Sequence, residues 1–187
     1  MRYCANLLST RLILLAVILL AGCEQQTLGY GFVIKEVSVS RGYQSLDIGL
    51  RQDLHLSQQA MEALHHGVTL TISIDLELRN DNSMTLARSE ARRFNIRYLP
   101  LSERYQLTDG VSEKSQTYSR LRHVFAAIDG LNLQLPTGPL PVGNYELRTR
   151  TRLDESMLPA PMQLPALFSS QWRHDSEWSV WPFKVSV

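Results

Sequence analysis

Arg148, Arg150 and Arg152 alternate along one stretch of chain with Leu147, Thr149, Thr151 and Leu153. In an extended strand that spacing puts three guanidiniums on one face, where forked, planar donors could hold a phosphate headgroup or another anion. The simpler account is a solvent face whose arginines pair with carboxylates such as Asp75 and Glu77 on a neighbouring strand. Further along, Trp172, Trp178 and Trp181 stand near Phe168 and Phe183. Such a cluster serves a core first, then a partner groove, then a sugar-stacking platform. The segment 156–168, Ser-Met-Leu-Pro-Ala-Pro-Met-Gln-Leu-Pro-Ala-Leu-Phe, is unusually apolar for a loop. It either covers one end of the core or offers Met157, Leu158, Met162 and Leu164, with Trp172 beside them, to a protein partner, because methionine adapts to irregular surfaces.

Catalytic signatures are sparse. The sequence contains no Gly-Lys pair, no His-Glu-x-x-His, no Gly-x-Ser-x-Gly and no Ser-x-x-Lys, and Gly110-Val111-Ser112-Glu113 lacks the second glycine of a nucleophile elbow. These absences lower the expectation of an enzyme without excluding one, since catalytic groups need not be close in sequence. The histidines are His55, His65, His66, His123 and His174. Neighbours on a helix point about 100° apart, so His65 and His66 do not converge on one ion. No metal site and no cofactor are expected.

The remaining chemistry belongs to a thiol. Arg2 and Arg11 are the only charges before Glu24, and an apolar run, Leu12 to Leu20, leads into Leu20-Ala21-Gly22-Cys23. This is the layout of an export signal, too short to span a bilayer comfortably at roughly 20 residues. Leu-Ala-Gly-Cys resembles the bacterial lipobox, in which lipid is attached to the cysteine and the chain is cut just before it. Residues 1–22 are then a signal peptide, 23–31 a lipidated tether beginning at Cys23, and 32–187 one domain. Several acyl chains make attachment stable where one alone is marginal. In the sorting pattern of Gram-negative lipoproteins an Asp after the cysteine favours the inner membrane. Glu24 is not Asp, so the periplasmic face of the outer membrane is the expected location. Cys4 departs with the signal and Cys23 is acylated, so the domain has no disulfide and relies on its core.

Composition agrees with a single folded domain. The chain has 187 residues, is 44% hydrophobic and 20% charged, and carries a formal charge of +1. Those values exclude a disordered chain, a collagen and a multi-spanning membrane protein, and a near-zero charge argues against nucleic acid as a partner. The clearest element is 68–78, where Val68, Leu70, Ile72, Ile74, Leu76 and Leu78 alternate with polar residues, one face toward a core and one toward water. Strands are also expected at 32–40, 44–50, 92–99, 103–108, 144–153 and 176–187. Helices are expected at 58–66, capped by Ser57 and stopped by Gly67, and at 118–129, with Leu121, Val124, Phe125 and Ile128 on one face. Residues 136–143 and 155–170 read as loops, the latter because Pro159, Pro161 and Pro165 break regular structure. One-sided strands predict antiparallel sheets, hence a mainly β sandwich of about seven or eight strands with two short helices. The alternative is an α+β layout with the helices on one face of a single sheet.

A set of short motifs runs through this pattern: Leu56-Ser57 before Glu62-Ala63-Leu64 and Gly67-Val68; Phe94-Asn95-Ile96-Arg97-Tyr98 with Leu101; Gly143-Asn144-Tyr145; and Arg150-Thr151-Arg152-Leu153-Asp154 leading to Leu158-Pro159-Ala160-Pro161 and Gln171-Trp172. Together they resemble a family of Gram-negative envelope proteins, domain-of-unknown-function family 4390, over nearly all of 32–187. The resemblance implies an exported or membrane-attached envelope protein and supplies no reaction, substrate or catalytic residues. The expected function is therefore a lipid-anchored periplasmic module that binds an envelope protein without catalysis. An envelope-acting enzyme and a carrier of an apolar ligand are the alternatives. A convergent pair of titratable groups in a cleft would favour the first of these, a deep apolar cavity the second, and a shallow exposed apolar surface the binding module.

Overall fold

The computed structural model describes residues 29–80 and 85–186. The expected signal peptide, Cys23 and most of the tether lie outside the described residues. The strands are β1 (Gly31–Arg41), β2 (Ser45–His55), β3 (Leu70–Asn80), β4 (Leu86–Leu99), β5 (Arg104–Asp109), β6 (Ser115–Tyr118), β7 (Leu131–Pro136), β8 (Gly143–Leu153) and β9 (Ser179–Val185). The helices are α1 (Gln58–His65), α2 (Leu121–Ile128) and α3 (Ala160–Phe168), with short 3-10 turns at Glu155–Met157 and Ser170–Trp172. Two antiparallel sheets form, a three-stranded one in the order β1-β2-β7 and a six-stranded one in the order β6-β5-β4-β3-β8-β9. The fold is mainly β, and the single-sheet alternative does not hold.

The alternation of β3 places Leu70, Ile72, Ile74, Leu76 and Leu78 on the inner face of the large sheet, all buried. Ile72 pairs with Leu153 on β8 and with Phe94 on β4, so the inner faces of three strands line up. The small sheet contributes Leu46, Ile48, Leu50 and Leu54 from β2 and Leu133 and Leu135 from β7 to the same core. Two polar residues join the layers. Thr151 Oγ1 donates to Gln52 Oε1 at 2.7 Å, and Gln52 Nε2 donates to the Ile128 carbonyl at 3.0 Å, linking β8, β2 and α2 inside the core. Buried polar groups of this kind are tolerated because each is satisfied.

Several expectations need correction. The outer face of β3 is not in water along its first half: Thr71 and Ser73 are buried as fully as their inward neighbours. Ser73 lies between Arg93 on β4 and Arg152 on β8, and the stems of these long side chains roof it over. β6 escaped notice because Ser115-Gln-Thr-Tyr118 has no apolar alternation. β4 begins six residues earlier than expected because Leu86–Arg92, mostly charged or small, pairs with β3, with a register shift at Ala87, without burying a face. β7 did carry a signal, Leu131, Leu133 and Leu135 at alternate positions.

The largest correction is α3, where a loop was expected. Pro159 sits at its N-cap and Pro161 in its first turn, where backbone N–H groups lack helical partners in any case. Only Pro165, inside the helix, removes a bond, and the packing of Met162 and Ala166 against the core holds the segment helical despite it. The other helices follow their cues. Ser57 Oγ accepts from Ala60 N at 3.1 Å at the start of α1. Gly67, at φ +89°, ends it, with Gly67 N donating to the Leu64 carbonyl and Val68 N to the Ala63 carbonyl.

Candidate functional site

The arginine face of β8 is occupied by the protein's own carboxylates. Arg152 Nε donates to Asp75 at 3.0 Å, and its NH1 lies 3.7 Å from Asp154. Arg148 NH1 lies 3.7 Å from Glu77. Arg150 grips Asp175 through both Nε and NH2. That hydrogen bond raises the guanidinium pKa of Arg150. On Asp175 burial pushes the carboxyl upward, but the Arg150 contact and the Glu177 N–H outweigh it and hold it below its ordinary range. Trp178 lies under the same arginines, its ring centre 5.2 Å from the Arg148 guanidinium carbon and 5.9 Å from that of Arg150. These contacts pair the stripe with the protein's own carboxylates, so Arg148, Arg150 and Arg152 form the ladder of the simpler account in place of the alternative anion site. The register of β9 against β8 is unbroken, with Trp181 and Phe183 half-buried on its inner face, Val180, Pro182 and Lys184 exposed on the other, and Trp178 beyond the strand on the arginine side.

Ser57 and His174 meet in the interior but do not form a nucleophile and base. His174 Nε2 accepts the backbone N–H of Ser57 at 2.8 Å, and its Nδ1 lies 3.1 Å from the Trp172 carbonyl, which fixes the neutral tautomer with the proton on Nδ1. Ser57 Oγ donates to the Gln171 carbonyl at 2.6 Å while accepting from Ala60. Every polar atom of the pair serves the backbone, and Tyr30 and Phe32 pack on the ring with centroids 5.4 Å away. Burial holds the imidazole pKa below its ordinary value. The other histidines stand apart: His65 Nε2 meets Tyr105 OH at 2.7 Å, His66 Nδ1 meets the Glu62 carbonyl at 2.7 Å, and His55 meets Asp53 at 2.8 Å.

The apolar segment 156–168 divides in two. Leu158 and Trp172 are buried and belong to the core, which corrects their assignment to a partner surface: Leu158 closes the end of the large sheet and Trp172 ends the turn that carries His174. Met162 is half-buried against the same core. Met157 and Leu164 are exposed, as are Leu167 and Phe168.

A second apolar surface lies between the end of β2, α1 and α2. Val124 and Ile128 of α2 are fully buried, but Leu121 and Phe125, on the same helical face, are only half-covered. With Leu54, Leu56 and Met61 they line an open groove of about 590 Å³. Asp53, His55, Arg122 and Asp129 stand among its polar lining, and Gly29, the first described residue, reaches its mouth. Asp129 Oδ1 is committed to Gln52 N at 2.7 Å and so fixes one wall. The phase of α2 was legible in the sequence. That its face extends beyond the core was not, because the same pattern serves a helix that is fully covered.

Among the described residues no helix is long and apolar enough to cross a membrane, and no three metal-ligating side chains cluster. No curated protein matches the chain, and no solved structure does. The model of one family, described as a domain of unknown function (DUF4390), matches residues 30–182, from just before β1 into β9. That match takes in α1, α2, α3, the groove and all but the end of the described sheets, and the chain belongs to this family.

Proposed function

We propose that the chain is a lipid-anchored domain on the periplasmic face of the outer membrane that binds a segment of an envelope protein, without catalysis, in the groove between β2, α1 and α2. The anchor rests on Leu20-Ala21-Gly22-Cys23 behind its charged start and apolar run, and the outer-membrane location on Glu24. The observation that carries the binding site is Leu121 and Phe125, core-type side chains left half-open on a helix whose Val124 and Ile128 are fully buried. An apolar floor with Arg122, Asp53 and Asp129 at its margin suits a peptide, which brings apolar side chains together with polar backbone. An acyl chain favours a more enclosed cavity than this open groove. Ser57 and His174, which meet in the interior, have no polar atom free for a substrate.

The test uses the full-length chain in the envelope of the cell that makes it, with a benzophenone-bearing phenylalanine in place of Ala126, an exposed groove residue, or of Tyr43 on the β1–β2 turn. Irradiation is expected to give a protein adduct of one discrete mass from position 126 and none from 43, and Met61→Asp with Arg122→Glu to abolish it. No adduct, or one indifferent to those substitutions, refutes the groove. The mass of the mature N-terminus decides the anchor independently: an unacylated Cys23 refutes it.

A further inference from the structure

α3 is apolar but for Gln163, whose amide donates to the Ser156 and Leu158 carbonyls. At 100° per residue, Met162 and Ala166 fall on one side, facing the core, and Leu164, Leu167 and Phe168 fall on the other. The outward three are 68%, 60% and 89% exposed, and Met157, on the turn before the helix, is 54% exposed. Apolar residues on two opposite sides of a helix belong in a core or in contact with lipid, and one of these sides faces away from the core. From Ser156 to Trp172 the chain has no charged residue, so this ridge offers no group that would resist entry into hydrocarbon.

The position of α3 in the fold names its counterpart. The turn after α3 ends at Trp172, whose carbonyl contacts His174, and the His174 ring packs against Tyr30. Ser169, at the C-cap of α3, donates to Gln59 of α1 at 3.2 Å. The chain therefore enters the domain at Gly29 and Tyr30 on the end that carries α3, while β1 runs away from it to Arg41 and Tyr43 at the opposite end. Cys23 precedes Gly29 by six residues, a reach of at most about 20 Å when fully extended.

We infer that the outward ridge of α3, Leu164, Leu167 and Phe168 with Met157 beside it, rests in the interfacial layer of the phospholipid bilayer to which Cys23 is anchored. This inference rests on the lipid-anchor reading above. The ridge adds a second hold on the membrane and fixes the domain's orientation, which a single point of attachment cannot do. With α3 seated, the sheets point away from the bilayer and the groove opens near the membrane surface, beside the tether.

The test again uses the full-length chain in its own envelope, with the benzophenone residue at position 168 or at 43. Both sites are exposed, 89% for Phe168 and 93% for Tyr43, so neither substitution threatens the fold. Irradiation is expected to yield phospholipid adducts from 168 and none from 43. Equal lipid labelling at both positions, a protein adduct at 168 in place of lipid, or no adduct at 168 overturns the inference. The mass of the Cys23 N-terminus in the same sample separates the two claims: an unacylated chain that still labels lipid from 168 would defeat the anchor and leave the ridge, and an acylated chain that does not would defeat the ridge alone.

Discussion

The backbone N–H of Ser57 donates to the buried Nε2 of His174 at 2.8 Å, joining the N-cap of α1 to a residue 117 positions later. The bond exists only while the imidazole is neutral. Burial lowers the pKa of His174 in the folded chain, so as pH falls the unfolded chain takes up its proton first. This contribution is complete above the unfolded value of about 6.5 and is lost as pH falls below it toward the folded value, with a slope of at most about 1.4 kcal/mol per pH unit. Urea unfolding followed from about pH 7.5 to about pH 5 is expected to show that slope, and His174→Gln to remove it. Asp175 and Asp109, held below their ordinary range, act in a separate window: their contributions persist until pH falls below about 4.

Ile72→Asp and Ser73→Asp should both destabilise, although the two residues point to opposite faces of β3. Ile72→Asp puts an unpaired carboxylate in the shared core and is expected to abolish the cooperative thermal transition. Ser73 donates to Asp75 Oδ1 at 2.9 Å, so Ser73→Asp replaces a donor with a buried carboxylate beside the part-buried Asp75. Arg93 and Arg152 beside it soften the effect, and a loss of about 2 kcal/mol in denaturant melts is expected.

The Thr151–Gln52 bridge should show coupling. Thr151→Val leaves Gln52 Oε1 without its donor, and Gln52→Leu leaves the Ile128 carbonyl without its donor and Thr151 Oγ1 without its acceptor, while the Gln52 N–H bond to Asp129 remains. Each single change is expected to cost about 1–3 kcal/mol. The double variant should cost at least about 0.5 kcal/mol less than the sum, because the second change no longer strands a partner. Strict additivity would show that the bridge contributes nothing as a unit.

Along 156–168 the effect of a charge should follow burial. Leu158→Asp is expected to unfold the domain, since Leu158 is 3% exposed. Leu164→Asp and Phe168→Asp should change stability by no more than about 0.5 kcal/mol. Thermal melts of the purified variants check both expectations.

What was legible follows from where each element's signal comes from. β3 and β8 bury one whole face under the other sheet, and strict alternation of apolar or Thr residues announces them. α1 is framed by Ser57 and Gly67, and α2 by its four-residue apolar face. β6 and the first half of β4 are held by backbone pairing with a neighbour, which leaves no mark in side-chain pattern. α3 was hidden by its prolines, two of which stand where a helix accepts them. The arginine ladder was readable as a face, but Asp175, which takes Arg150, lies 25 residues along the chain and beyond any local spacing rule. The groove was unreadable because its floor is made of residues that individually look like core.

The four outer strands of the two sheets each carry a feature that discourages strand addition. β1 breaks register between Ile34 and Glu36 and places Lys35 there. β7 is short and ends at Pro136, β6 is only four residues of mostly exposed polar chain, and β9 has Pro182 in its middle with Lys184 two residues on. Bulges, prolines, lysines and brevity all spoil the template that an unpaired strand offers to another copy. If Cys23 carries the proposed lipid, molecules are confined to a plane and crowded, which raises the chance that exposed strands meet. Sheets with blunted margins let such a layer stay a population of separate molecules at high surface density.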